Sequence, residues 1–230
     1  MKKPVVDYRK LRLSNITTPE FSHLLLLLGW VGYFALYFIT ENFIPAEQCA
    51  PVWCIVDDWI PFNEYFLLAY TFWYLLIVFS LGYFLLYDVS SFRKMQTYII
   101  ITQVVAMAAY ILYPTRQDLR PEQFPRENCL TYLMGIIYKF DTNTGVCPSL
   151  HVAYSIGIAS TWVRKRDANR FWQAFVVFAV IMICLSTMFV KQHSFVDVVV
   201  AIPVCILAEW LVFGKKRPKF MRKMTDTPVV

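Results

Sequence analysis

Two of the three histidines lie in short segments whose residue types could carry out a group transfer. His193 precedes Asp197 by four residues, and His151 follows Pro148 and Ser149. Residues four apart on a helix share a face, so Asp197 can accept the Nδ1 proton of His193 and leave Nε2 free as a nucleophile. One histidine at the edge of an apolar segment is usually structural. Two on the same side of a membrane favour a catalytic interpretation.

The segment around Pro148 has the properties of a phosphate site. Proline favours the first turn of a helix, so Pro148 predicts a helix start. The free N–H groups and positive dipole end of such a start, together with the Ser149 hydroxyl, suit a phosphate oxygen. His151 lies one turn further and could protonate a leaving alkoxide. The two segments together predict phosphoryl transfer.

The elements that must position these residues are apolar. The chain of 230 residues is 58% hydrophobic and 17% charged, unlike an ordinary soluble protein. Apolar runs approach or reach the roughly 20 residues that cross a bilayer. They lie at about 23–43, 65–87, 96–113, 148–163, 171–190 and 194–213. Because they lack the alternation of barrel strands, we expect an all-α polytopic membrane protein, a bundle of six transmembrane helices that forms a single catalytic domain over 1–230.

The basic residues predict how this bundle is oriented. Seventeen of the 22 lysines and arginines lie on one side, in the leader 1–22, in two short turns and in the tail 214–230. This side is cytoplasmic by the positive-inside rule, so both termini lie inside and the region 114–147 is an extracytoplasmic catalytic loop. The first apolar run is expected to be a retained anchor. A bacterial plasma membrane, with the active site facing the extracytoplasmic side, fits the small size. The basic pI then reflects topology and not nucleic acid.

Five cations remain on the outer side, against this bias. They are Arg116, Arg120, Arg126, Lys139 and Lys191. Binding of an anionic group near the membrane would explain such cations. Ordinary solvation of a loop is the preferred explanation for Arg126 and Lys139.

Four of the six cysteines also fall in outer segments. An oxidising compartment would permit disulfides there, with Cys49–Cys54 and Cys129–Cys147 as the pairing within each loop. Other pairings and four free thiols remain open. We predict no metal site and no cofactor, because no convincing cluster of metal ligands occurs.

These motifs together resemble those of the type 2 phosphatidic acid phosphatase superfamily. Its three signatures are KxxxxxxRP, PSGH and SRxxxxxHxxxD. Arg120-Pro121 matches the end of the first signature, and Ser186, His193 and Asp197 match the third. Residues 148–151 correspond to the second signature, with Leu150 in place of its glycine. The resemblance implies that the histidine of the third signature, here His193, attacks phosphorus and that its aspartate, Asp197, orients it. It also implies that His151 protonates the leaving group and that no metal is needed.

Two signature cations are replaced in this chain. Tyr113 stands where the first signature has lysine, and Thr187 where the third has arginine. Arg120 alone would neutralise a phosphoryl group poorly, so Lys191, four residues after Thr187, and Arg116 are expected to substitute. Similar departures occur in the inositol phosphorylceramide synthase-like branch, which makes transfer to an alcohol acceptor a serious alternative.

Three functions are compatible with these residues. The leading hypothesis is a lipid phosphate phosphatase that cleaves a phospholipid or polyprenyl phosphate in the bilayer. The second is a phosphotransferase that moves a phospho-headgroup to an alcohol. The third is a transporter or scaffold that uses His and Asp as a proton relay, which would have no need of the segment 148–151.

Overall fold

The computed structural model describes residues 3–226, which are mostly helical. Lys2 of the basic leader and residues 227–230 of the tail lie outside the described residues. The helices are α1 Leu28–Phe43, α2 Val56–Trp59, α3 Leu67–Tyr87, α4 Val89–Leu112, α5 Cys129–Phe140, α6 Leu150–Arg164, α7 Arg170–Phe189, α8 Phe195–Phe213 and α9 Lys219–Asp226. Two short strands, β1 Ala50–Pro51 and β2 Thr115–Arg116, pair in parallel.

Within 3–226, five helical segments are long and apolar enough to cross a membrane. They are Ser22–Phe43, which includes α1 and the 3-10 turn before it, Glu64–Tyr87, which includes α3, and then α4, α7 and α8. The prediction of an integral membrane protein is supported to this extent. Helix α6, which corresponds to the short predicted run 148–163, has 15 residues and is not among these five segments. At a rise of about 1.5 Å per residue it is shorter than the roughly 30 Å of a hydrocarbon core.

Helix α6 is nevertheless the centre of the bundle. It packs against α3, α4, α7 and α8. Tyr154, Ile158 and Trp162 on α6 are almost completely buried. A Cβ added at Gly157 would lie 2.5 Å from the Tyr98 ring, so this glycine is required for the close approach of α4 and α6. The helix that carries His151 is therefore held on several sides.

Side-chain caps determine where the two helices of the predicted motifs begin. Ser149 is the N-cap of α6, and its hydroxyl accepts from the N–H of Val152. The expectation for Pro148 was therefore wrong by two residues, because Pro148 precedes the cap and does not occupy the first turn. Ser194 caps α8 in a reciprocal arrangement with Asp197, the third residue of that helix.

The region 114–147 is more regular than a loop. It contains β2 and the amphipathic helix α5, which starts at an Asn128 cap. The N–H of Gly145 donates to Thr115 O at 2.8 Å, which closes the segment on itself. Arg126 forms a two-point ion pair with Glu64, with Nε 2.8 Å from Oε1. Glu64 is fully buried at the start of α3. Arg126 thus anchors α5 to the bundle, contrary to the expectation of simple solvation.

Candidate functional site

The cap of α8 brings His193 and Asp197 together. Asp197 Oδ2 accepts the N–H of Ser194 at 2.9 Å and lies 3.2 Å from His193 Nδ1. Asp197 is completely buried, and His193 is 7% exposed. His193 precedes the N-cap and is not helical, so the contact depends on the reach of the N3 carboxylate back over the cap and not on a shared helix face. The carboxylate fixes the ring with Nδ1 as a donor.

A tight turn after α7 presents His193 to the interior. The carbonyl of Thr187 accepts the N–H groups of both Gln192 and His193 at 3.0 Å. Lys191 adopts a left-handed conformation with φ of 54°. Gln117 Nε2 donates to the carbonyl of Lys191 at 2.9 Å, which fastens the turn to the region 114–147. The backbone of this turn is therefore fixed from two sides.

His151 faces His193 from the first turn of α6. Its Nδ1 lies 3.4 Å from His193 Nε2. Since His193 Nδ1–H donates to Asp197, Nε2 is the acceptor in this pair and His151 carries its proton on Nδ1. The His151 ring packs on Tyr70 and Trp73, with centroids 4.7 and 4.3 Å away. Its Nε2 is buried without a hydrogen-bond partner. The proton is thus on the nitrogen that faces the predicted nucleophile.

The start of α6 is tied directly to the helix that carries Asp197. Ser149 N donates to the carbonyl of Asp197 at 3.1 Å. Ser149 is fully buried and its hydroxyl already caps Val152. The N–H groups of Leu150 and His151 have no intrahelical acceptor because they belong to the first turn. These amides, more than the Ser149 hydroxyl, are suited to an anionic oxygen beside the histidines.

Both histidines line a cavity of about 610 Å³. Its polar end includes His151, His193, Gln192 and Asp141. The remainder is lined mainly by aromatic and aliphatic side chains of α1, α3 and α6. The volume is within the range of about 300–1,000 Å³ for small-molecule sites. A molecule with a polar head and an apolar body matches this distribution.

Arg120 lies at the polar edge of the site and is extensively hydrogen-bonded. Its guanidinium donates to the carbonyls of Tyr138, Asp141 and Thr142. It also donates to Gln192 Oε1 at 2.5 Å and stacks on the Tyr138 ring at 4.4 Å. Burial lowers the pKa of Arg120, although Asp141 acts in the opposite direction. The group stays charged, and it connects the segment after α5 to the residue before His193.

Lys191 and Arg116, the other two cations predicted to bind phosphate, make architectural contacts. Lys191 Nζ donates to the carbonyl of Asp57 at 3.0 Å and to that of Ile60. Burial lowers the pKa of Lys191, and the negative charges of Asp57 and Asp58 act in the opposite direction. The expected helical continuation from Thr187 is absent, because α7 ends at Phe189.

Arg116 donates to Asp118 Oδ2 at 3.0 Å and to the carbonyl of Ala46 at 2.7 Å. Neither Arg116 nor Lys191 is among the residues that line the cavity. The structure therefore does not bring these two cations to the histidines.

The residues at the remaining signature positions have different environments. Ser186 is fully buried and donates to Ile183 O at 2.6 Å. Thr187 is also fully buried, whereas Tyr113 at the end of α4 is 68% exposed. Ser186 thus stabilises the last turns of α7, and neither of the substituted positions presents a cation to the cavity.

All six cysteines are free thiols, so the structure forms none of the predicted disulfides. Cys129 is exposed and Cys49 is buried, while Cys54 and Cys147 are intermediate. Burial, with a contribution from Asp197, raises the pKa of the Cys147 thiol to about 12. Among the described residues, no group of three or more His, Cys, Asp or Glu side chains could hold a metal ion.

Sequence reasoning missed a polar network behind the histidines. Tyr70 donates to Asp141 Oδ2 at 2.5 Å, and Gln192 Nε2 donates to the same oxygen at 2.9 Å. Asp57 Oδ1 accepts the N–H of Phe195 at 2.7 Å, which fixes the start of α8. Gln192 adjoins His193 and could have been singled out for that reason. Asp57 lies 138 residues before Phe195, and Tyr70 lies 71 residues before Asp141. The sequence therefore offered no local signal for these contacts.

The arrangement has the parts that nucleophilic catalysis requires: an imidazole held by a carboxylate and a second imidazole facing it, at the polar end of an apolar cavity. Comparison of the chain with protein-family profiles, characterised proteins and solved structures finds no match.

Proposed function

We propose that this protein is a membrane enzyme that cleaves a phosphate ester of a lipid through His193. The observation that carries the proposal is the geometry of three side chains. Asp197 holds Nδ1 of His193 at 3.2 Å, and Nε2 of His193 faces Nδ1 of His151 at 3.4 Å. Their position at the polar end of an apolar cavity supports a lipid as the substrate. The resemblance of the motifs agrees with this assignment.

In the reaction, His193 Nε2 donates its lone pair to phosphorus and the bond to the leaving oxygen breaks. His151 acts as the imidazolium, with a second proton on Nε2; its Nδ1–H protonates that oxygen, which leaves as an alcohol, and His151 becomes neutral. Asp197 stabilises the charge that develops on His193, and the amides at the start of α6 bind phosphoryl oxygens. Water, deprotonated by His151, then attacks the phosphohistidine, which releases phosphate and regenerates His193.

The contact between the histidines implies a movement before catalysis. Attack from Nε2 and protonation by Nδ1 on opposite sides of phosphorus require more than about 6 Å between these nitrogens, because an attack distance, the P–O bond and a hydrogen bond lie between them. The observed separation is 3.4 Å. Substrate must therefore displace one ring. Both backbones are held, so a side chain must rotate; because the His151 ring packs on Tyr70 and Trp73, we expect the His193 side chain to rotate.

We further propose six spans, with α6 as the short fourth one, both termini in the cytoplasm and the histidines outside. The basic groups at the ends of α6, α7 and α8 opposite to the histidines support this orientation. The exposed native Cys129 provides a direct test. It should react with an impermeant thiol reagent added to intact cells, whereas Asn169→Cys in a Cys129→Ser background should react only after lysis. The reverse pattern would overturn the orientation.

Covalent labelling tests the chemistry. Purified protein in lipid nanodiscs is incubated with phosphatidate that carries radiolabelled phosphate and is quenched in alkali, which preserves phosphohistidine. The wild type should show label on His193. His193→Gln should show none, although its unfolding temperature should equal that of the wild type. His23→Gln, which alters a buried histidine next to Tyr8, is the matched control and should retain labelling. Release of phosphate by His193→Gln at more than a tenth of the wild-type rate would exclude the mechanism.

A second candidate, transfer of a phospho-headgroup to an alcohol, is favoured by the shortage of positive charge. No lysine or arginine is among the described residues that line the cavity. A phosphate monoester carries nearly two negative charges at neutral pH, whereas a diester carries one. A diester therefore needs less neutralisation in this cavity.

Parallel reactions with a labelled phosphate monoester and a labelled phosphodiester lipid distinguish the two functions. Each is run with and without an added alcohol, and free phosphate is separated from new phospholipid. Phosphate release from the monoester supports the phosphatase. A new phospholipid formed from the diester only with alcohol supports the transferase. Absence of any phosphohistidine with either lipid would leave the proton-relay transporter as the better explanation.

A further inference from the structure

We propose that the apolar part of the cavity is a binding groove for one hydrocarbon chain of the substrate and that its length sets the preferred chain length. This inference rests on the proposed function, because the groove begins at His151 and His193. It adds a specificity site whose two walls lie outside all the sequence motifs. These walls are formed by α1 and α3, which carry none of those residues.

Two helix faces form the walls of the groove. On α1 the lining residues are Trp30, Tyr33, Phe34 and Tyr37, with the spacing of a single helix face. On α3 they are Trp73, Tyr74, Ile77, Val78 and Leu81, again with the spacing of one face. These two helices do not pack extensively on each other, since α1 packs mainly on α4. The space between them is the groove.

Helix α6 forms the base of the groove. Leu150, His151 and Tyr154, from the first two turns of α6, line it. The Tyr154 ring contacts Trp30 on one wall and Trp73 on the other, at centroid distances of 5.7 and 5.8 Å. Trp30 is fixed by a hydrogen bond from Nε1 to Gln96 Oε1 at 3.1 Å. The base is therefore continuous from His151 towards the far end.

The lining changes from polar to apolar along the groove, as a phospholipid does. Asp141, Thr142 and Thr144 lie with the histidines at one end. Glu41 accepts from the hydroxyls of Thr142 and Thr144, which holds the outer end of α1 beside the site. Beyond Tyr74, the α3 residues that line the groove as far as Leu81 are all aliphatic, over about 10 Å along the helix axis.

The groove is open towards the bilayer. Phe34 and Val78, on opposite walls, are 59% and 70% exposed. Both belong to helices long and apolar enough to cross the membrane, so this exposed side faces lipid. A chain can enter sideways between α1 and α3 while its headgroup stays at the level of the histidines. This continuity with the catalytic pocket identifies the occupant as the substrate's own chain and not an unrelated lipid.

Short-chain substrates make the groove measurable. A chain that enters from water gains roughly fourfold in affinity for each methylene that it buries, whereas a chain that enters from lipid gains little. For phosphatidates dispersed as monomers, from butanoyl to decanoyl, the wild-type KM should fall by about fourfold per buried methylene until the chain reaches the end of the groove. Beyond that length KM should level off. The kcat value should change little across the series.

A pair of tryptophan substitutions on α3 tests the assignment. Val78→Trp places a large ring in the groove, so KM should level off at a shorter chain and the decanoyl substrate should lose its advantage. Leu75→Trp is the matched control, because Leu75 is 66% exposed on the same helix but does not line the cavity. It should keep the wild-type dependence. Identical chain-length profiles for the two variants would overturn the proposal.

Cross-linking tests the groove independently of turnover. A phosphatidate with a photoreactive group at the end of one chain is added to His193→Gln, and labelled peptides are identified by mass spectrometry. The proposal is supported if α1 and α3 are labelled near Phe34 and Val78 and if excess unlabelled phosphatidate abolishes this labelling. Val78→Trp should weaken it. Labelling that is uniform over lipid-facing helices and not competed overturns it. A wild type that turns over no substrate but cross-links specifically would refute the proposed function and retain the groove.

Discussion

Asp197→Asn is the change that best separates the catalytic and structural roles of the site. The carboxylate accepts hydrogen bonds from His193 Nδ1 and from the N–H of Ser194 through the same oxygen, Oδ2. An asparagine has the same shape and can still accept the N–H of Ser194. It cannot balance the positive charge that develops on His193 as Nε2 attacks phosphorus. The variant should therefore fold but turn over slowly.

The magnitude follows from the loss of one charged hydrogen bond. Such a bond contributes roughly 1.5–3 kcal/mol, which corresponds to about a 10- to 150-fold loss of kcat if it acts only in the transition state. Because Asp197 is completely buried, solvent does not screen the interaction and the loss should approach the upper value. The measurement is steady-state release of phosphate from phosphatidate in nanodiscs. Both kcat and kcat/KM should fall together.

Ser194→Ala provides the control for this prediction. It removes the hydroxyl that accepts the N–H of Asp197 at 3.2 Å, but it leaves the carboxylate and its contact with His193. Loss of a helix cap costs about 1 kcal/mol, so this variant should unfold at a lower temperature and lose much less activity than Asp197→Asn. An active Asp197→Asn enzyme, or equal kinetic damage from both changes, would refute the role assigned to the carboxylate.

Three further predictions concern the surrounding residues. Lys191→Met should lower the unfolding temperature, because two carbonyl groups at α2 lose their donor; a drop in kcat of about a hundredfold without loss of stability would instead show that Lys191 contacts phosphate. His151→Ala should slow substrates with poor leaving groups more than those with good ones, and equal losses in a series of leaving groups would exclude an acid role. The Cys129 thiol should be alkylated at neutral pH without a reductant, while Cys147, whose pKa is raised, should stay unreacted. If alkylation of Cys129 requires a reductant, a disulfide forms.

The apolar pattern predicted most of the helices because hydrocarbon requires long continuous apolar segments. Five segments long enough to span occur near predicted positions. The fourth predicted run, 148–163, also corresponds to a helix, α6 at Leu150–Arg164, but at 15 residues this helix is not among those segments. Residues at the base of a cavity and within a bundle are apolar for packing, and the sequence cannot distinguish these from residues that face lipid. The pattern therefore identified α6 as apolar but not as the buried centre of the bundle.

The local part of the site was more predictable than its support. His193, Asp197 and Ser194 lie within five residues, so helix-cap geometry alone brings them together. The turn at Lys191 was missed, because a left-handed lysine has no local sequence signature and a continuing helix was the simpler expectation. Helix α5 had a signal in the Asn128 cap and in apolar residues three and four apart, which the surrounding prolines obscured.

The outer cations show why unusual charge placement does not by itself identify substrate ligands. Three of the five, Arg116, Arg126 and Lys191, contact backbone carbonyls or carboxylates that join the segments above the bundle. Arg120 does the same beside Gln192 but lies next to the histidines. If these residues lie on the translocated side, as we propose, their retention there is explained by the order that they give to this region.

This use of the cations constrains the chemistry that the site can perform. If Arg120 keeps its carbonyl partners during turnover, the phosphoryl group is stabilised mainly by the amides at the start of α6 and by the histidine pair. Amides and one imidazolium neutralise a single negative charge better than two. In that case we expect the second candidate, transfer from a diester, over hydrolysis of a monoester. The relative rates on these two lipids will show whether Arg120 leaves its partners to meet the substrate.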